Sequence, residues 1–305
     1  MNEYAECIQK VLDYIEERTD GDSDAQLGLT ELAAVAGFSE YHFHRLFLFM
    51  VGDTVMEYVR KRKLARAALR VSHTNERLLD IALDCGFGTQ ETFIRAFRKL
   101  FGMTPGSYRK KRVDTPIYPR AEVVKKRNNP YLGGIRMDYR IEDKPAFQVL
   151  AYPLATTNVD GQNNSDIPAF WQKYIREGLG KVLHEATGSW DEYGICTDSD
   201  LQTGAFTYLI GMEAKEDVKA PEGTVLRTFP ATTYAVFTTP KVKREQFTDS
   251  IQQTWNAIYE EWFPHSDYEH SGIGAEYEYY DQRSGDEYDN GLVQMEIYIP
   301  VKKKG

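Results

Sequence analysis

Cysteine is scarce in this chain. Its 305 residues hold three, Cys7, Cys85 and Cys196, far apart and with no CxxC spacing. An odd, scattered set excludes a disulfide framework and fits a reducing compartment. Histidine is nearly as sparse, with six residues and no metal-ligand spacing. His42 and His44 are two apart, which on a helix points them to different faces. No apolar run is long enough to cross a bilayer and no signal-peptide pattern opens the chain, so the expected location is cytoplasmic, with no membrane partner. There is no phosphate-cradling glycine loop and no Ser or Cys nucleophile with a matched histidine. Hence no metal, no cofactor and no enzymatic activity are expected.

Tryptophan is absent from the front of the chain; all four (Trp171, Trp190, Trp255, Trp262) lie in the back. Charge is uneven in the same way. Residues 1–112 carry 17 Lys/Arg against 16 Asp/Glu, and residues 113–305 carry 20 against 30. This asymmetry predicts two modules with different tasks. The overall balance of −9 does not exclude nucleic acid, because phosphates respond to local patches. Two such patches stand in the front module. Residues 60–70 hold six positive charges and no acid, and residues 95–112 hold seven and no acid. A solvated helix face is the plain alternative for both.

The front module reads as helical. Ile8, Val11, Leu12 and Ile15 form one stripe over residues 3–17, and Gly21–Gln26 is a polar break. A short helix over 30–36 buries Leu32, Ala33 and Ala36 and ends at Gly37. Ser39 then caps a helix to about Leu48, with Phe43 and Phe47 inward and Tyr41, His44 and Arg45 outward. After Gly52, Thr54 and Glu57 have capping-box spacing for a long helix through Arg70. The pattern then recurs. Ile81, Ala82 and Gly86–Phe87 repeat Leu32, Ala33 and Gly37–Phe38, and Phe93, Arg95 and Phe97 repeat Phe43, Arg45 and Phe47. Thr89 takes the place of Ser39 after a turn one residue longer. Gly102 suits a left-handed C-cap, and Thr104–Pro105 starts a last short turn.

Two helix-turn-helix units joined by a long helix fit DNA geometrically, although a plain helical bundle fits the same periodicity. A major groove admits one helix, and side chains near its N-terminus reach base edges. Arg45 and Arg95 lie one to two turns in, where either could pair bidentately with guanine.

On these residues the front of the chain, from about Glu6 to Arg112, resembles the DNA-binding domain of the AraC/XylS family of transcription regulators. The most specific part is Ile81–Lys110, with Ile81–Ala82, Gly86–Phe87, Phe93, Arg95, Phe97, Gly102, Pro105 and Tyr108–Arg109 in the family's spacing. The resemblance implies double-stranded DNA as partner, with RNA polymerase left open as a further one. It implies base-reading positions at Tyr41, His44 and Arg45, and at Gln90, Glu91, Ile94 and Arg95. Thr89 and the helix ends are implied for phosphate, with Arg60, Lys61 and Arg62 near the inter-unit helix. Operator sequence does not carry over.

Residues 113–139 lack periodicity and hold Pro116, Pro119, Pro130 and Gly133–Gly134, which predicts a linker. Two similar halves follow. The first is a strand at Ala146–Thr157, a helix at about Pro168–Leu183, and strands near Glu192–Cys196 and Gly204–Gly211. The second is a strand at Ala231–Thr239, a helix at about Arg244–Trp262, and strands at Gly274–Asp281 and Leu292–Val301. A strand at Val225–Thr228 would extend the sheet. Each half is β-α-β-β, mostly antiparallel. Alternation puts Glu276, Glu278 and Tyr280 on one face of their strand, and sets Glu296 and Tyr298 opposite Met295, Ile297 and Ile299. Trp255, Tyr259 and Trp262 lie on the intervening helix. An aromatic pocket with a carboxylate at its base would suit an apolar, cationic ligand. Aromatics filling a core, with glutamates facing water, satisfy the same pattern.

KPAFQVLAY, TTYAVFTT, TWNAIYEEWFP, EYEYYD and MEIYIPV, in that order over residues 140–302, resemble a GyrI-like effector-binding domain. The fold implied is an all-α double helix-turn-helix domain (1–112), a linker (113–139) and an α+β GyrI-like domain of two β-α-β-β halves (140–305). A DNA-binding domain placed first is the Rob-type order. The resemblance implies a cleft glutamate, placed at Glu278 with Glu276 and Glu296 as alternatives, and an aromatic lining of Trp171, Tyr174, Tyr208, Trp255 and Tyr259. The function implied is a transcription regulator controlled by a small hydrophobic or cationic effector. A module that only sequesters a ligand, or hydrolyses one with Glu278 as base, is the alternative.

Overall fold

The computed structural model describes residues 3–20, 27–111, 118–121, 123, 138–215, 217–285 and 289–304. The polar break at Gly21–Gln26 and most of the expected linker lie outside these residues. The chain forms two compact units, Met1–Val124 and Lys125–Gly305.

Seven helices make up the described part of the first unit: α1 (Glu3–Asp20), α2 (Leu29–Ala36), α3 (Glu40–Val51), α4 (Val55–His73), α5 (Leu78–Asp84), α6 (Gln90–Phe101) and α7 (Pro105–Lys111). Their ends follow local chemistry. The Ser39, Thr54 and Thr89 side chains accept the N–H of the third residue on, and Gly37, Gly52 and Gly102 take the left-handed conformation that stops α2, α3 and α6. Around the second turn, Phe93 and Phe97 pack with Ile81, Ala82, Leu64, Ala68 and Tyr108 in a core that α4 shares with α5, α6 and α7. Residues 118–121, inside the expected linker, lie on α4. The Tyr118 hydroxyl donates to Asp53, Arg62 donates to the Tyr118 carbonyl, and the Ala121 N–H donates to the Tyr58 hydroxyl at 3.1 Å. The helical unit therefore extends past residue 112.

The second unit is an antiparallel sheet with helices on one face. Its elements are β1 (Tyr139–Lys144), β2 (Phe147–Thr157), α8 (Asn163–Arg176), α9 (Leu179–Thr187), β3 (Glu192–Thr197), β4 (Ala205–Ala214), β5 (Val225–Phe229), β6 (Thr232–Thr238), β7 (Val242–Lys243), α10 (Phe247–Ala257), β8 (Tyr268–His270), β9 (Glu276–Tyr280), β10 (Leu292–Val293) and β11 (Glu296–Lys303). The order β1-β6-β11-β9-β3-β4-β2-β5 reads as two halves meeting at β9 and β3, with β8 added on β11 and β7–β10 as a separate ribbon. The two β-α-β-β halves are present. Each half's leading strand joins the other half: β1 pairs with β6, and β5 pairs with β2. Such an exchange covers both outer strands and ties the halves together.

Two element boundaries differ from expectation. The helix expected over 168–183 begins at Asn163, runs through Pro168, and is split into α8 and α9 by Gly178 at φ 65°. The expected last strand is divided into β10 and β11 at Gln294–Met295, where Thr239 exchanges hydrogen bonds with Met295. Past Ala257, the helix of the second half continues as a π-helical turn, Ile258–Trp262.

The register Gly194↔Glu278 sets the face shared by the central strands. Glu192, Gly194 and Cys196 of β3 and Glu276, Glu278 and Tyr280 of β9 point towards the helices. The opposite face carries an aromatic layer of Phe147, Tyr193, Phe229, Tyr234, Tyr277 and Tyr298. Phe147 and Tyr277 approach to 5.8 Å although β3 and β4 separate their strands, so the sheet is strongly curled.

Candidate functional site

The first-turn residues of α6 are open to solvent. Thr89, Gln90, Glu91 and Arg95 are all exposed, while Ile94 is half-buried against the core around Phe93. Glu91, Ile94, Arg95, Arg98, Lys99 and Thr104 line a shallow cavity of about 600 Å³. Thr89 is committed to its own helix, since its hydroxyl oxygen accepts the Thr92 N–H at 3.2 Å. The surface thus offers two guanidinium groups, an ammonium, a carboxylate and an aliphatic side chain.

The first unit differs. Tyr41 and Arg45 are half-buried, and the Arg45 guanidinium lies 5.3 Å from the Phe49 ring centroid, along its own helix. His44 does not face outward as its spacing predicts; only 3 % of it is exposed. The cause is the wide buried face of α3. His42, Phe43, Leu46, Phe47 and Met50 are buried as well, and α1, α2 and α4 all pack on this helix. The basic stretch at residues 60–70 is also more internal than its charge implies. Arg62 pairs with Glu16 at 2.7 Å, Lys61 with Asp53 at 2.7 Å and Arg60 with Glu57 at 2.6 Å.

In the second unit the three glutamates separate. Glu278 stands at the junction of the two halves. Its Oε1 accepts from Trp255 Nε1 at 2.9 Å, and its Oε2 accepts from the Tyr280 hydroxyl at 2.9 Å and the Tyr208 hydroxyl at 3.2 Å. Tyr208 in turn accepts from Trp171 Nε1 at 3.0 Å. One tryptophan from each half therefore feeds the same carboxylate, Trp255 directly and Trp171 through a tyrosine. Gly194, opposite Glu278, makes the space: a Cβ there would overlap the Tyr208 hydroxyl and sit 3.1 Å from Glu278 Oε2. Trp171, Trp255, Glu278 and Tyr280 are only half-buried. Among the described residues Glu278 has no cationic partner. Burial pushes its carboxyl above the usual range, against the opposing effect of the Trp255, Tyr280 and Tyr208 hydrogen bonds. Burial and the Glu278 charge push the Tyr208 and Tyr280 hydroxyls well up, so both stay protonated donors.

Glu276 faces the same side of the sheet but is sealed, at 1 % exposure, with the Tyr259 hydroxyl donating to it and His270 Nε2 at 3.2 Å. Tyr259 therefore belongs with Glu276. Glu296 is on the opposite face, because β11 sets Ile297 against Glu278 and Glu296 against Tyr279. It accepts from Arg140 at 2.7 and 3.0 Å and from Arg283 at 3.2 Å. Burial pushes its carboxyl up, but the hydrogen bonds and charges of these two arginines outweigh it and hold the group below the usual range. A carboxylate already paired in this way is a structural ion pair, not a waiting ligand site.

Tyr174 lies in the same cluster as Trp171, with ring centroids 5.7 Å apart, and its hydroxyl donates to Glu192 Oε1 at 2.8 Å. Two neighbours are missing from the expected lining: Glu192, whose carboxyl burial also pushes up, and Tyr280, whose ring lies 5.2 Å from Trp171 and 6.3 Å from Phe247. Alternation from Glu278 marks Tyr280. Glu192 is marked only once Gly194 is known to face the helices.

Two family models match separate parts of the chain. A model of integron-associated effector binding proteins matches residues 140–301, and a helix-turn-helix domain model matches residues 32–111. The uncharacterized HTH-type transcriptional regulator YbfP of Bacillus subtilis (strain 168) is 40% identical over 106 residues, 35% of each chain. The right origin-binding protein of Escherichia coli (strain K12) is 41% identical over 91 residues, 30% of this chain and 32% of its own. The regulatory protein SoxS of Salmonella typhimurium is 34% identical over 106 residues, 35% of this chain and 95% of its own. The match thus spans about a third of the length of the first two relatives. Among solved structures, the integron cassette protein VCH_CASS2 of Vibrio cholerae matches at 19% identity and TM-score 0.37, over 54% of this chain and 95% of its own. SAV2435 bound to tetraphenylphosphonium matches at 18% identity and TM-score 0.43, over 54% and 94%.

Proposed function

The chain belongs to the integron-associated effector binding proteins and joins that domain to an AraC-type helix-turn-helix domain; on that premise we propose that it is a transcription regulator whose DNA occupancy responds to a lipophilic cation. The exposed face of α6 enters a major groove, with Arg95 reading a base edge and Arg98 and Lys99 on phosphate. The effector lodges between the helices of the two halves, on the sheet face they share, and places its positive charge at Glu278, with Trp171, Trp255 and Tyr280 against its apolar body.

One observation carries the ligand reading. Among the described residues Glu278 is a carboxylate in an aromatic surround held only by neutral donors, whereas buried Glu296 on the same sheet has two arginines. Burying a charge is unfavourable unless it is paired, so Glu278 gains from a cation brought from outside. Three donors keep its oxygens oriented meanwhile. A ligand changes DNA affinity only through differential affinity for the free and DNA-bound chain, and the effect is reciprocal. The test is selection of genomic fragments on the full chain, with and without tetraphenylphosphonium. A recurring motif whose recovery changes with the cation supports the reading. Recovery of random fragments under both conditions overturns it.

A further inference from the structure

The Glu278 cluster contains a second carboxylate, Glu192, which the internal symmetry of the domain relates to Glu276. The local two-fold between β3 and β9 passes through the pair Gly194↔Glu278, which relates Glu192 to Glu276. Both receive a hydroxyl from a tyrosine of their own half's helix, Tyr174 for Glu192 and Tyr259 for Glu276. The two have diverged. Glu276 is sealed and lies against His270, while Glu192 is half-buried and, among the described residues, has Tyr174 as its one side-chain partner.

Glu192 stands directly across from Tyr280, whose hydroxyl donates to Glu278 at 2.9 Å. The two glutamates are thus diagonal neighbours on adjacent strands, about 7–8 Å apart with their Cβ atoms somewhat closer. Trp171 touches both sides of the gap, at 5.7 Å from Tyr174 and 5.2 Å from Tyr280. No lysine, arginine or histidine among the described residues pairs with either carboxylate.

Resting on the reading of Glu278 as a cation site, we propose that the cluster recognises a dication: one positive group at Glu278, the second at Glu192, with the connecting segment across Tyr280 and Trp171. The second charge then distinguishes the natural effector from the many lipophilic monocations that would satisfy Glu278 alone. Nothing in the sealed Glu276 position offers a third site.

The test uses the full chain and calorimetric titration with two probe sets: alkyltrimethylammonium monocations, and bis(trimethylammonium) alkanes with linkers spanning about 5–15 Å, bracketing the carboxylate spacing. The expected result is a matched bis-cation binding about tenfold tighter than the monocation of equal chain length, above the twofold statistical advantage of two identical ends. In Glu192→Gln this ratio falls towards that statistical value. Should that variant fold poorly by circular dichroism, Glu192→Asp decides, because its shorter side chain moves the preferred linker to greater length. Equal affinity for matched mono- and bis-cations, a preference that survives in Glu192→Gln, or an unmoved optimum in Glu192→Asp overturns the proposal. Monocation affinity unchanged in Glu278→Gln overturns the underlying cation site as well, and so separates the two failures.

Discussion

Replacing Glu278 with glutamine removes one charge and almost no volume. The amide oxygen still accepts from Trp255 Nε1, and the hydroxyls of Tyr208 and Tyr280 turn to accept from the new amide N–H groups. The fold is therefore retained, and the change reports on charge. A full positive charge about 4 Å from the carboxylate, at an effective dielectric near 20, is worth about 4 kcal/mol. Glu278 is half-buried, so solvent screening roughly halves that figure, to about 2 kcal/mol. The variant should then bind tetraphenylphosphonium roughly thirtyfold more weakly at pH 8, with affinity for neutral triphenylphosphine oxide unchanged. Calorimetry gives both constants, and quenching of Trp255 and Trp171 gives an independent reading. A loss below threefold for the cation, or an equal loss for the neutral compound, would refute the argument that charge recognition resides at this carboxylate.

Three further outcomes follow from the same geometry. Because burial raises the Glu278 carboxyl above its unfolded value, the folded form holds the proton more tightly; the destabilisation is present above the folded pKa and relieved as pH falls through it. Urea unfolding should therefore show Glu278→Gln gaining stability relative to wild type as pH rises from 5 to 8, while cation affinity of the wild type rises over the same interval; parallel pH curves for the two proteins contradict this. Gly194→Ala drives a methyl into the Tyr208 hydroxyl and should destabilise the second unit by about 1–3 kcal/mol and weaken cation binding, measured by thermal unfolding and calorimetry. Arg95→Ala should reduce specific DNA binding by about 1–3 kcal/mol and nonspecific binding much less; equal losses in gel-shift titrations remove its base-reading role.

Much of the helical unit is legible because its signals are local. Ser39, Thr54 and Thr89 cap, glycines stop, and Phe93 and Phe97 recur at helical spacing. His44 is not legible, because its burial depends on how many neighbours pack on α3. In the sheet, alternation assigns Glu276 and Glu278 to one face of β9 and separates Glu296 from Ile297 on β11. It cannot relate the two strands until their register is known, and the register Ile297↔Glu278 is what turns Glu296 away. The same limit hides Glu192, whose place depends on the pairing of β3 with β9. The segment YRIEDK of β1 gives no strand signal; it is an edge strand, mostly exposed, and it is held by pairing with β6.

Linkage between the two activities is the central claim, and one titration tests it most directly. Fluorescence anisotropy of a selected DNA fragment is followed for wild type and Glu278→Gln over increasing tetraphenylphosphonium at pH 8. The account predicts that the cation shifts the DNA dissociation constant of the wild type, and that the variant requires roughly thirtyfold more cation for the same shift. Coincident curves for the two proteins, or a DNA constant that the cation leaves unmoved, would contradict it.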